Sequence, residues 1–532
     1  MKKSVVLSML LGAGSLTALS VQSSAGAERV FRHDESGPGQ LDPAKATDYA
    51  SSILMFNVYD ALVQPDAAKG VAPSLAKSWK ITPDGKTYTF TLRSDVKFHD
   101  NSKLTSADVV FSYQRLKAIN QGFANLFDTV TGVKASSPTT VVFNLSKPYA
   151  PFISNLSRLQ IVNKSLTLKN KQEGKFGANG DYGQAYLSTH DAGSGAYAVE
   201  SHNGQSLTVM KKFSAYFQPF VADAPDTVRQ RYGLDPTTVR TLMQRKELDV
   251  TSQWLPPETL KALAGNGMPL VQEVGSGNFF VKLNTQKAPT DDLNVRKAIA
   301  AAFDYATLRS LLKITDTVAS GSPANGPLVP GMPGYNKAIA APSRDVELAK
   351  SLLAKSKYKG EQLTIEVGWV AEVPFEERIA LLMQQNLGEV GIKVNITKVP
   401  WAVMIQRASK AATTPNASLT YISPIVPDPD AMLYPVYHSS SAGTWLSMSW
   451  LKDAQVDKLL DQARTETNPG KRAEIYRQAS KRIVDLQPDI FGYVQNAVFA
   501  KQTNVSIPAL QDPAKTVAMQ GGNFIFRTIS VK

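Results

Sequence analysis

The sequence predicts a mixed α/β protein built from more than one packing unit, and three observations carry that prediction. At 532 residues the chain exceeds what a single hydrophobic core supports. Strand-like and helix-like runs alternate between 279 and 399, the pattern of an α/β lobe. Between 70 and 190 a few short strands surround one amphipathic helix, a smaller α+β grouping. Hydrophobic residues at 43% and charged residues at 19% suit a packed, soluble chain and exclude disordered, collagen-like and many-span membrane classes.

The elements follow in order. Lys2 and Lys3 precede an uncharged run that ends at Ser24-Ala25-Gly26-Ala27, the layout of a cleaved secretory signal over 1–27. The run is too short and too diluted by Ser, Gly and Thr for a spanning helix. Cleavage leaves a chain that starts at Glu28, and no cysteine follows to accept a lipid, so we expect a free periplasmic protein. In SLAKSWKITPDGKTYTFTLR, Pro83-Asp84-Gly85 punctuates two alternating runs and predicts a hairpin with Tyr88, Phe90 and Leu92 on one face. Thr105 stands three residues before Asp108, a capping-box start for a helix carrying Val109, Val110, Tyr113 and Leu116. TTVVFNL supplies a further strand, and Asn203-Gly204 predicts a type I′ turn between AYAVES and SLTVMKK.

The second half continues with the strand FFVKLNTQ and one helix over LNVRKAIAAAFDYATLRSLL. Helix and strand then alternate through DVELAKSLLAKS, LTIEVGWV, EERIALLMQQNLGEV and IKVNITKV. A late helix covers 451–464, and another begins at Asn468-Pro469, a cap followed by proline at the first helical position.

Catalytic constellations are missing. With Cys 0, thiol nucleophiles, disulfides and cysteine metal sites are excluded, and the five histidines stand singly, without a helical metal pair. No GxSxG elbow or phosphate-cradling glycine loop is present, and Gly193 to Tyr197 reads as a tight turn. Asp428-Pro429-Asp430 could in principle do glycosidic chemistry, but the flanking prolines favour a turn or ligand rim. The net charge of +13 is dispersed among acids, without a basic run, so nucleic-acid binding is not expected. We therefore expect no enzyme, no cofactor and no bound metal; a secreted hydrolase is the weaker alternative.

Several stretches together resemble one family, the extracytoplasmic solute-binding proteins of ABC importers, family 5, the peptide and nickel class. GQLDPAKATDYASSILMFNVYDALVQPD is similar to the family's opening, and LAKSWKITPDGKTYTFTLRSDVKFHDNSKLTSADVVFSYQRL to its most diagnostic signature. PYAPF, GSGAY, VRKAIAAAFD and PDPDAMLYPVYHS follow in the family's order. Two turns depart from it: Asn101 stands where glycine is usual after FHD, and GSGAY replaces GTGPY.

The resemblance implies a periplasmic-binding-protein type II-like fold, two α/β lobes joined by a hinge of two crossing strands plus an extra small α+β domain. Lobe one would take 28–69, 191–273 and 495–532, the extra domain 70–190, and lobe two 274–494. It further implies a monomer that captures short peptides, or a related peptide-like solute, in the inter-lobe cleft and delivers them to an inner-membrane ABC permease with its cytoplasmic ATPase.

Trp401 matches a family position near the cleft, and Arg378 aligns with an arginine that can pair with a ligand carboxylate. Each has a plainer reading, core packing for Trp401 and an exposed helix surface for Arg378. Tyr49, Trp369, Tyr421 and Trp445 are further cleft candidates, with Asp428 and His438 on the ligand side. Dipeptide binders of the family carry an aspartate a few residues before DPD that holds the ligand ammonium, and here Pro424, Ile425 and Val426 stand in that place. Opines, oligosaccharides and chelated nickel therefore remain alternative ligands, and a chaperone or sensor role on the same fold stays open.

Overall fold

The computed structural model describes residues 28–35, 39–371, 373 and 375–532; the secretory leader expected over 1–27 lies outside the described residues. Among the described residues three sheets of four or more strands organise the chain. Val30–Glu35 runs parallel to Thr227–Tyr232, which continues antiparallel through Leu207–Lys212 to Tyr197–Asn203. Ala76–Ile81, Thr87–Leu92, Thr140–Leu145 and Val130–Ser137 form an antiparallel sheet in that order. The largest sheet orders Gly321–Pro323, Asp489–Ala500, Leu270–Leu283, Ala417–Ile422, Thr364–Val370 and Lys393–Val399.

In that largest sheet side chains alternate between two helical layers, as a strand's period of two requires. Phe279, Val281 and Leu283 join a core with Ile299, Ile365 and Met383, whereas Phe280 joins Leu433, Tyr437, Val456 and Ile483 on the other face. Burial on both faces explains why these strands read as continuous apolar runs.

Two long strands connect the halves of the molecule. Leu270–Leu283 and Asp489–Ala500 pair antiparallel from Leu270↔Ala500 to Lys282↔Asp489. One end packs with the first lobe through Val271 and Phe499, the other with the second through Val281 and Ile490. The register shifts between Val274 and Gly277, where Gly275 has φ +75°. A β-bulge at that point bends the pair and locally interrupts its ladder.

The small sheet is not an isolated unit. Tyr88, Phe90 and Phe143 share one continuous core with Phe31, Leu54 and Val58 of the first lobe. A buried fork adds a polar tie: Arg115, on the helix Ser106–Ile119, donates to both carboxylate oxygens of Asp42 at 2.7 Å. Ile314 packs with Val239, Met243 and Leu263 of the first lobe, although it falls in the stretch expected for the second.

Local expectations mostly survive at the elements and fail at their ends. The Pro83-Asp84-Gly85 hairpin forms, and the Thr105 backbone N–H donates to Asp108 Oδ2 at 2.9 Å. The single helix expected over 293–312 is two, Leu293–Ala302 and Tyr305–Leu311. Asp304 restarts it by accepting from the N–H groups of Ala306 and Thr307. The helix expected from 451 begins at Ala454, because Asp453 caps it through the Val456 N–H.

The Asn203-Gly204 turn is not type I′. Asn203 pairs with Leu207, which leaves a three-residue loop, and Gly204 does not enter the left-handed region. The Asn203 side chain accepts from Gln205 N–H and its carbonyl from Ser206 N–H, an Asx-type closure that needs no positive φ. At Gly193 and Gly195 the requirement is space: a Cβ would meet Val58 O at 1.9 Å and Asn57 O at 2.4 Å. This turn packs on the end of the helix Tyr49–Val58.

Candidate functional site

A cavity of about 800 Å³ lies beside this bulge and draws its walls from every part of the fold. The crossing strands contribute Ser276 and Gln495, the first lobe Glu35, Asp48, Tyr49 and Trp254. Phe123 and Tyr149 come from the small domain, and Trp401, Tyr421, Asp430, Trp445 and Arg464 from the second lobe. Its size falls in the roughly 300–1,000 Å³ range of small-molecule sites.

Each wall has a local cause. Asp48 is the cap of the helix Tyr49–Val58 and accepts from the Ser51 N–H and hydroxyl, which sets Tyr49 at the first helical position. The Tyr49 hydroxyl donates to Glu273 Oε2 at 2.7 Å. Burial pushes Glu273 up to about 7. Glu35 ends the strand VFRHDE, beside a His33 that burial holds down at about 4 and that stacks on Phe524 at 4.5 Å.

On the opposite wall Trp401 opens the helix Trp401–Ala408 and meets Trp445 edge-on, 5.1 Å between centroids. The Tyr421 hydroxyl shares a hydrogen bond with that of Tyr493. Arg464 forks onto Asp430 at 2.8 and 2.9 Å, and its guanidinium carbon lies 3.1 Å over the Tyr434 ring.

Four of the eight residues singled out from sequence, Tyr49, Trp401, Tyr421 and Trp445, therefore share one cavity. The other four lie elsewhere, and their placement corrects the expectation that they face the cleft. Trp369 is 3% exposed, inside the core beneath the strand Thr364–Val370, with Lys398 over its ring. Asp428 is buried and forks with Arg472 at 2.7 Å on both oxygens, an architectural tie. His438 caps a helix end, stacks on Tyr434 at 4.2 Å and bonds Ser440.

Arg378 is exposed and pairs with Glu258 of the first lobe at 3.0 Å, so it bridges the lobes at the rim. The paired Asp428 and Asp430 are each engaged by an arginine, which removes the carboxylate pair as a catalytic arrangement. Glu35, Asp48, Trp254 and Gln495 escaped the sequence reading. The available signal for Glu35 was three titratable residues in a row, His33-Asp34-Glu35, which the structure buries at 0 to 1% exposure.

The segment that replaces the family's ammonium-holding aspartate is committed to the first lobe and the small domain. Pro424 O accepts from the Gln520 N–H at 2.9 Å, and Ile425 O from Arg158 Nε at 2.6 Å. Arg158 lies between the rings of Phe56 and Phe123, and burial brings it down to about 9. Among the described residues no group of three His, Asp or Glu side chains is arranged to hold a metal, and no helix is long and apolar enough to cross a membrane.

Comparison with known proteins agrees with this architecture. Residues 70–444 match the family described as bacterial extracellular solute-binding proteins, family 5 Middle. The chain is 28% identical over 480 residues to the probable D,D-dipeptide-binding periplasmic protein DdpA of Escherichia coli (strain K12), covering 88% of this chain and 89% of that one. It is 26% identical over 522 residues to the dipeptide-binding protein of the same organism, covering 92% of each. Its fold superposes on the periplasmic binding protein DppA from Helicobacter pylori, solved with the peptide STSA, with a TM-score of 0.75 at 22% identity, covering 95% and 98% of the two chains.

Proposed function

The chain belongs to the bacterial extracellular solute-binding proteins of family 5, and from that premise we propose that it captures a short peptide, or a related peptide-like solute, in the cavity between its lobes. Members of this family are binding proteins that deliver solutes to an ABC permease and its ATPase. The observation that carries the reading is the cavity itself: it is bounded by both lobes and lies against the bulged strand pair that joins them.

That position makes occupancy and lobe closure one event. Closing about 274–277 removes water from the cavity, and each polar contact inside gains strength as the local dielectric falls. A ligand shifts the open–closed balance only by its preference for the closed form, and here both lobes supply lining residues, so the closed form offers more contacts. We read 28–69, 191–273 and 495–532 as lobe one, 70–190 as the small domain and 274–494 as lobe two. Tyr49, Trp401, Tyr421 and Trp445 are the ligand contacts, in a monomer acting in the periplasm after cleavage of its leader.

Isothermal calorimetry with di-, tri- and tetrapeptide pools tests this directly. The wild-type chain binds at least one pool, and Trp401→Ala weakens that binding more than tenfold while the thermal midpoint moves little, since Trp401 is only half-buried. Equal affinity in the variant removes Trp401 from the site; absence of binding by every pool removes the peptide assignment.

A further inference from the structure

Among the described residues that line the cavity, Arg464 is the one cationic side chain, and it is only partly used by the fold. A guanidinium carries five N–H donors on three nitrogens, which present a side edge, Nε with Nη2, and an outer edge, Nη1 with Nη2. Other buried arginines of this fold commit all three nitrogens. Arg115 gives them to Tyr182 O and Asp42, Arg158 to Ile425 O, Ser52 and Gln520 O, and Arg472 to Ala463 O, Asp428 and Tyr476. Arg464 commits two: Nε and Nη2 donate to Asp430 at 2.8 and 2.9 Å. Its Nη1 and the second Nη2 hydrogen meet no acceptor among the described residues, and 24% of the side chain remains accessible.

The guanidinium is held still. Asp430, the first residue of the helix Asp430–Tyr437, fixes its side edge, and Tyr434, one turn later, lies under its face at 3.1 Å. A planar fork oriented in advance loses little freedom when it binds. The Ala150 N–H donates to the Arg464 carbonyl at 2.8 Å, and the Tyr149 ring centre lies 5.6 Å from its guanidinium carbon, so Arg464 stands where the small domain meets the second lobe. With the side edge on Asp430 and one face on Tyr434, the polar part of Arg464 left for the cavity is the outer edge. Two parallel N–H groups on that edge match the two oxygens of a carboxylate, whereas an amide offers one acceptor and turns its own donors toward the fork. Arg378, the other arginine considered for a ligand carboxylate, is paired with Glu258 at the rim.

We propose that the outer edge of Arg464 is the carboxylate anchor of the cavity: the solute presents a free carboxylate to Nη1 and Nη2 at the seam of the small domain and the second lobe, with the rest of it beside Trp401 and Trp445. This rests on the reading of the cavity as the ligand site and names the group by which its occupant is held. Asp430 is then a positioning residue, which acts on the solute through the guanidinium that it orients.

The test uses matched probes on the mature chain, alanyl-phenylalanyl-alanine with its free carboxylate against the same tripeptide as its C-terminal amide. Calorimetry should show the acid binding at least tenfold tighter. Replacing the pair together, Arg464→Gln with Asp430→Asn, leaves no unpaired buried charge and should cut that preference at least fivefold. Arg464→Lys keeps a cation for Asp430 and removes the fork, and should cut it at least threefold, so the result does not depend on the double variant folding. An arginine with a purely architectural role would change both affinities alike and leave their ratio where it was. Equal or tighter binding of the amide overturns the proposal, as does a preference that the variants leave undiminished. If neither tripeptide binds, the peptide reading fails, and 3-phenylpropionate against 3-phenylpropionamide then decides the anchor. Tighter binding of the acid that Arg464→Lys weakens upholds it; any other result, including binding of neither, overturns it.

Discussion

On the second-lobe side of the cavity Asp428 meets Arg472 and Asp430 meets Arg464, each through two short hydrogen bonds, and Lys282 meets Asp489 deeper in. On the first-lobe side Asp34 and Glu273 are as deeply buried, yet among the described residues neither forms an ion pair with a lysine or arginine. Burial holds both of them near 7. The same residue type thus does two jobs. Carboxylates with arginine forks, Asp428 and Asp430 here and Asp42 elsewhere, tie elements together, while Asp34 and Glu273, without them, hold their protons up to about 7.

Breaking the first half of that comparison gives the largest effect. Arg472→Met leaves Asp428 buried without its counterion, which should cost about 3–5 kcal/mol of stability in urea unfolding. A loss below ~1 kcal/mol would mean that the fork is ornamental.

The second half is sharpened by pH. A carboxyl at about 7 in the folded chain and near 4.5 when unfolded keeps its proton longer in the native state. Stability therefore falls as pH rises from about 4.5 to about 7 and levels off above that. Glu273→Gln preserves an acceptor for Tyr49 and removes the titration, so it should flatten this decline by on the order of 3 kcal/mol. An unchanged pH profile would show that Glu273 is ionised in the native protein throughout that range.

The smallest effect belongs to the bridge between the walls. Arg378 and Glu258 are both exposed, and such pairs contribute about 0.2–1 kcal/mol. Arg378→Ala should leave the thermal midpoint almost unmoved and shift ligand affinity less than about fivefold. A larger loss would restore Arg378 to the ligand.

How much of this was legible depended on distance along the chain. The Pro83-Asp84-Gly85 hairpin, the Thr105–Asp108 cap and the Asn468 cap are set by neighbours within a few residues, and they form as the pattern predicts. Trp401, Tyr421 and Trp445 are also found together, because each stands next to a strand end or helix start that aims it at the cleft. Asp428 and His438 flank the helix Asp430–Tyr437 and turn instead to Arg472 and to Tyr434 and Ser440, partners set by the fold around them. Glu35 and Trp254 share a cavity with second-lobe residues because the long strand pair brings the two halves together, a juxtaposition that no local pattern encodes.

That the cavity between the lobes holds a short peptide or a related peptide-like solute is tested most directly by native mass spectrometry of the mature chain purified without refolding. The prediction is a mass addition that leaves on collisional activation, fragments as a short peptide or a peptide-like compound, and is missing from Trp401→Ala. A co-purified solute with no peptide-like bond, or a chain that stays unliganded with excess short peptides, would contradict it.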